Sequence, residues 1–255
     1  MRYGVIADVH GNLDALRPVL RAIDREGVDG YLVAGDLVGY GPHPNECVAA
    51  VAELGATCVA GNHDLIALGI LSDDRCIELA RHSLRWTRQI LGADERAFLA
   101  ALPRVATAPG GVRVAHGALD DPQQYTTVAG QALAQLDRLD DGDRALVLGH
   151  THRTLAYTRS AGRLPTRGAT ALPPGEAVLL NPGAVGQSRE RRVRARFAIL
   201  DLDAWQARFG AIAYDVGACR AALRRAGLSP RSYHLRPSLP RAAVRALRER
   251  RLSSR

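Results

Sequence analysis

Several short polar clusters in this chain could together bind metal ions. Each cluster follows an apolar run, and most adjoin a glycine that lets the backbone turn. One such cluster alone would be explained as a capped strand end, but the full set is hard to explain in that way. Carboxylates, imidazoles and a carboxamide without thiolates suit Mn, Fe, Zn, Co or Ni more than a calcium cage. The clusters are Asp8 and His10, Asp36, Asn62 and His63, His116, and His150 and His152.

These clusters need a scaffold that brings the ends of several strands to one edge. Buried-strand patterns over residues 5–7, 31–34 and 57–60 alternate with helical spacing over 13–23 and 44–54. This alternation is typical of a parallel sheet layered with helices. Sites in such sheets lie at the carboxyl ends of the strands. The sequence therefore predicts that the polar clusters meet at one edge of a sheet.

The rest of the chain predicts helices first and then more strands. Helical spacing covers residues 72–102 and 130–139, and strand patterns cover 112–115, 145–148, 154–158 and 177–180. Residues 163–175 are predicted to be a loop, and 197–202 with 208–214 a terminal hairpin. Asp215 is expected to cap a helix that stops at Gly227. Since no repeat or long linker is visible, we expect one domain over 1–227 and an extension over 228–255, with a short basic helix over 241–251.

The positive charge of the chain is concentrated near its C-terminus. The chain has 255 residues, is 47% hydrophobic and 24% charged, and carries a net charge of +8 without any lysine. These values are typical of a globular protein. Residues 218–255 hold eleven arginines and one acid, a net charge of +10, whereas residues 1–217 carry −2. Two interpretations stay open: a solvated helical tail, which is the simpler one, and a contact for nucleic acid or another polyanion.

The cellular compartment is inferred from membrane, signal-peptide and cysteine patterns. No apolar run approaches the roughly 20 residues of a membrane span, and no signal-peptide pattern opens the chain. The four cysteines are scattered without a C-x-x-C pair. We therefore expect a cytoplasmic protein with free thiols and no membrane partner, and a disulfide or cysteine–zinc site is the less favoured alternative. The oligomeric state is left open.

The order of the clusters resembles the calcineurin-like metallophosphoesterase superfamily. The motifs are D-x-H at Asp8, G-D at Asp36, G-N-H-D at 61–64, H-G at His116 and G-H-x-H at 149–152. Residues 8–12, 35–42 and 181–186 are similar to the small prokaryotic branch of YfcE-like phosphodiesterases and dinucleoside tetraphosphate hydrolases. Protein phosphatases have a charged Asp-Arg pair where this chain has Gly39-Tyr40. The resemblance implies an α/β fold, a four-layer αββα sandwich of two mixed sheets flanked by helices, here with a basic C-terminal helical tail.

The resemblance also implies a dinuclear metal site. Two divalent transition metal ions are expected, with Mn favoured and Fe, Zn, Ni or Co as alternatives. Such a pair, about 3.5–4 Å apart, clamps a phosphoryl group and activates a hydroxide that attacks phosphorus. His63 would give a proton to the leaving oxygen, with Asp64 orienting or charging its ring. The implied ligands are Asp8, His10, Asp36 and His152 for the first ion, and Asp36, Asn62, His116 and His150 for the second.

The implied activity is hydrolysis of small phosphodiesters or nucleotides. The alternatives are a dinucleoside polyphosphate hydrolase, a nuclease, a protein phosphatase and, least favoured, a non-catalytic scaffold. The arginine-rich C-terminus is a candidate polyanion contact. The candidate substrate contacts are Tyr40, His43, Asn181, Gly183 and Arg189.

Overall fold

The fold follows from a computed structural model, which describes residues 1–236. The predicted basic helix over 241–251 and the rest of the arginine-rich end lie outside the described residues. The strands are β1 Arg2–Ile6, β2 Gly30–Val33, β3 Thr57–Cys58, β4 Val105–Ala108, β5 Val112–Ala115, β6 Ala145–Val147, β7 Thr154–Thr158, β8 Gly162–Arg163, β9 Gly168–Ala171, β10 Val178–Pro182, β11 Ala195–Asp201 and β12 Gln206–Ile212. The helices are α1 Leu13–Asp24, α2 Pro44–Ala52, α3 Asn62–Ala67, α4 Glu78–Ile90, α5 Ala93–Ala101, α6 Ala129–Leu136 and α7 Val216–Arg225.

The strands form two six-stranded sheets. The first has the order β3-β2-β1-β11-β12-β9, and the second has the order β4-β5-β6-β10-β7-β8. In the first sheet β1 runs parallel to β2 and antiparallel to β11. In the second sheet β10 runs parallel to β6 and antiparallel to β7. Both sheets are therefore mixed, as the family resemblance implied.

Strand β1 shows how the alternating residues of a strand build two cores. Val5 and Ala7 pack with Leu180 of β10 in the core between the two sheets. Ile6 points the other way and packs with Leu16 of α1. Successive side chains of a strand point to opposite faces, so a strand that is apolar throughout is covered on both sides. Fully burying a Val, Ile or Leu side chain of this kind contributes about 1.5–3 kcal/mol.

The outer face of the second sheet is covered by a helix. Leu136 of α6 packs there with Leu146 of β6 and Leu179 of β10. The layers are therefore helices, first sheet, second sheet and helix. The predicted four-layer αββα sandwich is confirmed.

Two predicted segments differ from the observed fold. The predicted loop over 163–175 is wrong, because it contains the end of β8 and all of β9. Strand β9 pairs with β12 at the edge of the first sheet and buries only Thr170, so its sequence shows little alternation. The predicted helix over 72–102 contains two helices, because Leu91 and Gly92 have extended backbone between α4 and α5.

The C-terminal part of the described chain packs on the body. The predicted cap of α7 is confirmed, since Asp215 Oδ1 accepts a hydrogen bond of 2.9 Å from Ala218 N. Beyond α7, Leu235 N donates to Ser188 O at 3.0 Å, and Ser232 Oγ donates to Tyr40 O at 3.0 Å. The domain boundary after residue 227 stays a prediction. The cysteines are free thiols, as expected, and no helix within residues 1–236 is long and apolar enough to cross a membrane.

Candidate metal centre

The backbone at the strand ends adopts a conformation that L-residues rarely take. Such a conformation costs of order 1–3 kcal/mol and persists where the surrounding structure enforces it. Strain of this kind clusters at functional sites. Of the seven non-glycine residues with positive φ in the described chain, six lie at this edge: Asp8, His10, Asp36, Tyr40, His150 and His152.

Backbone hydrogen bonds hold the ends of neighbouring strands together. Asp8 N donates to Gly35 O at 3.0 Å, and His10 N donates to Asp36 O at 2.9 Å. Gly186 N donates to Asp8 O at 2.9 Å, which ties in the segment after β10. The first two clusters of the sequence are thus fixed side by side by the sheet itself.

The structure brings the predicted ligands into two groups of donor atoms. Within each group the atoms lie within 4.8 Å of one another, and every residue is buried. Asn62 joins the second group, because its Oδ1 lies 3.0 Å from His116 Nε2. Each group could hold a metal ion, and Asp36 is common to both. The groups are Asp8, His10, Asp36 and His152, and Asp36, His116 and His150.

One oxygen of Asp36 faces both groups. Asp36 Oδ2 lies 3.5 Å from His10 Nε2 and 3.2 Å from His116 Nε2. The other oxygen, Oδ1, accepts a hydrogen bond of 2.8 Å from His63 N. A Cβ atom on Gly61 would overlap this carboxylate, so the position requires glycine. The carboxylate is therefore held with one oxygen directed between the two groups.

Two histidines of the first group have their tautomer fixed by backbone carbonyls. His10 Nδ1 lies 3.0 Å from Val38 O, and His152 Nδ1 lies 2.8 Å from Gln187 O. A carbonyl oxygen only accepts hydrogen bonds, so each Nδ1 carries the proton. Each Nε2 then keeps a lone pair for the site. Such contacts are typical of metal-ligating histidines.

The two histidines of the second group also donate to backbone carbonyls, but their pKa values are shifted in opposite directions. His116 Nδ1 donates to Ala34 O at 2.7 Å. Burial lowers the pKa of His116, but the Asp36 and Asp8 carboxylates and the hydrogen bond to Ala34 together raise it to about 9. His150 Nε2 donates to Gln123 O at 3.2 Å, and burial lowers the pKa of His150 to about 3. His150 is therefore neutral, with Nδ1 as its free donor atom.

The Asp8 carboxylate lacks a partner for one oxygen. Oδ1 accepts a hydrogen bond of 3.0 Å from His150 N. Oδ2 is buried and accepts no hydrogen bond from the described residues. Burial raises the pKa of Asp8 to about 7. A buried carboxylate oxygen without a partner is costly, and a cation beside it would remove that cost. The residues therefore fit a bound divalent metal.

The expectation that Asp64 orients the ring of His63 is not supported by the structure. Asp64 Oδ1 accepts from Val38 N at 3.1 Å, and Oδ2 accepts from Gly61 N at 2.9 Å. His63 Nδ1 has no hydrogen-bond partner among the described residues. A Cβ atom on Gly39 would overlap this nitrogen, so the ring packs directly on the backbone. Asp64 thus links the backbone at Val38 to the backbone at Gly61. The ring of His63 is positioned by packing against the backbone at Gly39.

A cavity of about 380 Å³ lies over the two groups. The predicted residues Tyr40, His63 and Arg189 line it, together with Tyr125. The Tyr40 ring lies 4.8 Å from the His63 ring, and the Tyr125 ring lies 4.2 Å from the His150 ring. Arg189 Nη1 lies 3.3 Å from the Tyr125 hydroxyl. The exposed Tyr125 ring and the Arg189 guanidinium therefore lie beside the metal ligands, whereas Tyr40 is only 3% exposed.

Three predicted substrate contacts do not line this cavity. His43 lies at the N-terminus of α2, where its Nδ1 is 3.5 Å from Glu46 Oε1. Asn181 is buried, and its Nδ2 donates to Gly149 O at 2.6 Å, which braces the loop carrying two of the histidines. Gly183 N donates to Asn181 Oδ1 at 2.9 Å and completes this brace. Asn181 and Gly183 therefore support the site from outside the cavity.

The sequence interpretation missed residues that act through their backbone or from distant loops. Gln123 and Gln187 contribute carbonyl oxygens to histidines, and Arg75 and Arg153 line the cavity. Any residue type can supply a carbonyl, so composition gave no signal for the glutamines. Only the position of Gln187, directly after the 181–186 motif, could have pointed to it.

The arrangement agrees with a known protein family. The family model for Calcineurin-like phosphoesterase matches residues 1–182. The chain belongs to this family. The calcineurin-like phosphoesterase fold thus carries the site described above, and the predicted enzyme class, a phosphoesterase hydrolase, is confirmed. The family depends on divalent metals, which agrees with the two donor groups.

Individual relatives support the same assignment. This calcineurin-like phosphoesterase is 31% identical over 219 residues to an uncharacterised protein of Methanocaldococcus jannaschii, covering 83% of this chain and 87% of that protein. The crystal structure of a metallophosphoesterase from Sphaerobacter thermophilus superimposes with a TM-score of 0.79 at 34% identity, covering 91% of this chain and 96% of the other. A shorter match, 41% identical over 69 residues, relates 26% of the chain to 25% of a symmetrical bis(5'-nucleosyl)-tetraphosphatase of Psychromonas ingrahamii.

Proposed function

We propose that this protein hydrolyses small phosphodiesters or nucleotides at a dinuclear metal centre. The observation that carries the proposal is the pair of donor groups that share Asp36 below the cavity. Asp36, which belongs to both groups, would be a ligand of both ions. The proposed ligands are Asp8, His10, Asp36 and His152 for one ion, and Asp36, Asn62, His116 and His150 for the other.

The metal supplies the chemistry that the side chains alone lack. Two bound divalent ions would stabilise the charge of the phosphoryl oxygens and provide a hydroxide nucleophile near neutral pH. Manganese is the proposed native ion, with Fe, Zn, Ni and Co as alternatives, because all the donors are oxygen or imidazole nitrogen. The chain contributes orientation, since each His Nδ1 or Nε2 that donates to a carbonyl fixes the opposite nitrogen toward the site.

His63 is the proposed proton donor to the leaving oxygen. It lines the cavity next to Asn62, and its ring contacts Tyr40 rather than a carboxylate. Burial lowers the pKa of His63, although Asp36 acts in the opposite direction. An anionic phosphoryl group beside the ring would favour its protonated form. His63 would therefore carry the proton for the leaving oxygen more readily when the anionic substrate is already bound.

Tyr40 and Arg189 are the proposed substrate contacts. The Arg189 guanidinium can bind oxygens of the phosphoryl group or of a neighbouring phosphate through paired hydrogen bonds. Tyr40 is only 3% exposed, so only the small part of the side chain that lines the cavity would contact a nucleoside base or an aryl leaving group. Both residues line the cavity, and Arg189 is only partly exposed.

The direct test is hydrolysis of a chromogenic bis-aryl phosphodiester by the purified protein. We expect turnover with Mn²⁺, loss of turnover with a chelator, and recovery when Mn²⁺ is added again. Parallel assays with Zn²⁺, Co²⁺, Ni²⁺ and Fe²⁺ rank the metals. Absence of hydrolysis with every metal would overturn the enzymatic proposal and favour a non-catalytic scaffold.

A dinucleoside polyphosphate hydrolase is the second candidate function. The local similarity to the Psychromonas ingrahamii tetraphosphatase supports it, although it covers only 26% of the chain. Diadenosine tetraphosphate, a cyclic nucleotide and a phosphopeptide should be compared at equal concentration with the bis-aryl ester. A much higher kcat/KM for the dinucleotide would favour this second candidate, and preference for the phosphopeptide would favour a protein phosphatase.

A further inference from the structure

A second, larger cavity adjoins the proposed metal centre. It is an open groove of about 1160 Å³, and we call it the arginine groove. Three chain segments line it: Arg153 with Thr154, residues 163–167, and residues 189–192 with Arg194 and Arg196, together with Ala211 of β12. The volume is about three times that of the 380 Å³ cavity over the metal ligands. The groove therefore has room for a ligand larger than the one that the metal-site cavity accepts.

The charge of the arginine groove is strongly unbalanced. Eight arginines line it against one acid, Glu190. Glu190 is already paired with Arg196. The other seven arginines form no ion pair with a carboxylate of residues 1–236, whereas arginines elsewhere, such as Arg113 and Arg138, do. Guanidinium groups gathered in this way repel one another, and a bound polyanion would relieve that repulsion.

The groove and the metal-site cavity meet at two shared arginines. Arg153 and Arg189 line both cavities. Arg189 is held at this junction, because its Nε lies 3.3 Å from Gln187 Oε1 and its Nη1 lies 3.3 Å from the Tyr125 hydroxyl. Gln187 also accepts from the metal-group residue His152 through its backbone oxygen. A ligand lying along the groove would therefore bring one end to the metal ligands.

The lining favours a chain of phosphates over a nucleic-acid strand. Sites for single-stranded nucleic acid combine positive charge with aromatic side chains on which bases stack. No aromatic residue is found among the described residues that line the arginine groove, and its apolar members are Leu164, Pro165 and Ala211. Arginine forks match phosphate oxygens in paired hydrogen bonds. The lining residues of the groove therefore suit a ligand whose phosphates are closely spaced and not separated by bases.

We propose that the arginine groove binds a linear polyphosphate chain and directs its end to the metal centre. Binding in the groove depends only on the arginines. Delivery of the end for hydrolysis rests on the function proposed above. The two parts can fail separately, because affinity and turnover are measured in different assays.

The test measures binding of fluorescent short-chain polyphosphate to the full-length, Mn²⁺-loaded protein by anisotropy. The variant carries Arg163→Gln, Arg167→Gln and Arg192→Gln, three exposed residues that line the groove but not the metal-site cavity. We expect its affinity to fall roughly tenfold or more, and the dependence of log K on log salt to become shallower by about 2, because three phosphate contacts are lost. Hydrolysis of the bis-aryl ester should change less than about twofold, since the metal ligands are untouched.

A matched control removes the same charge elsewhere. Arg220→Gln, Arg224→Gln and Arg225→Gln lie on the exposed face of α7 and line neither cavity. Equal loss of binding in the control would overturn the groove assignment. The same holds if Arg248→Gln, Arg250→Gln and Arg251→Gln in the full chain abolish binding while the groove variant keeps it.

The identity of the polyanion is tested by competition. Unlabelled polyphosphate should displace the probe at lower phosphate concentration than an oligothymidylate of equal phosphate number. If the oligothymidylate competes better, the groove is a nucleic-acid site and the polyphosphate proposal is wrong. If polyphosphate binds as expected but no phosphoester is hydrolysed with any metal, the groove proposal stands and the proposed function fails.

Discussion

His10 Nε2 lies 3.2 Å from His152 Nε2, although 142 positions separate the two residues in the chain. Both rings donate from Nδ1 to a backbone carbonyl, so each Nε2 presents a lone pair to the other. Two lone pairs at this distance repel, and a cation between them turns the repulsion into attraction. A metal ion bound by both nitrogens would explain the contact.

Metal removal should destabilise the protein. The buried carboxylates of Asp8 and Asp36 and the facing imidazoles lose their cation, and any ion that binds only the native state stabilises it by mass action. Adding Mn²⁺ at about 100 times its Kd to metal-free protein should stabilise it by about 2.7 kcal/mol. Thermal unfolding with chelator, and then with Mn²⁺ restored, checks this. An unchanged Tm would argue against a metal at these residues.

Asp36→Asn should remove metal from both proposed positions and lower activity together with metal content. The amide cannot supply a charged oxygen to both donor groups, although its shape is the same. Elemental analysis after gel filtration measures the metal bound per chain. Asp94→Asn, on the exposed start of α5, is the control and should keep full metal content and activity. A D36N protein with unchanged metal and rate would show that Asp36 does not bridge.

Asp64→Asn should lower stability while the protein keeps its metal. Both oxygens of Asp64 accept backbone N–H groups, and the introduced amide would turn a donor toward one of them. A lost buried hydrogen bond of this kind costs about 1–3 kcal/mol. Urea unfolding gives the loss of stability, and elemental analysis gives the metal content. If stability is unchanged but activity collapses, Asp64 has a chemical role that its contacts do not show.

His63→Ala should slow hydrolysis according to the leaving group. General acid catalysis contributes about 10²–10⁴-fold, and it matters most when the leaving oxygen is strongly basic. We expect a large loss for an alkyl ester and a small loss for a nitrophenyl ester, with metal content unchanged. His43→Ala, outside the cavity, should leave both rates as they are. Equal losses for the two esters would point to a positioning role for His63.

Much of the site could be predicted because its ligands follow strand ends. The run before Asp8 is apolar on both faces of β1, which identifies a buried strand whose carboxyl end carries a carboxylate and an imidazole. The same pattern recurs at Asp36, His116 and His150. Local periodicity and glycine turns thus identified donor types and their places on the sheets. The edge strand β9 could not be predicted from its pattern, because only one of its side chains is buried.

The sequence by itself determined which donors exist and where strands present them, because these depend on short-range pattern. Tertiary structure alone decided how they are oriented. The carbonyls of Val38 and Gln187 select the tautomers of His10 and His152, and the engagement of Asp64 with backbone amides separates it from His63. The arginine groove likewise forms only when residues 163–167 meet residues 189–196. Such contacts depend on how two sheets and their loops pack, which no local pattern records.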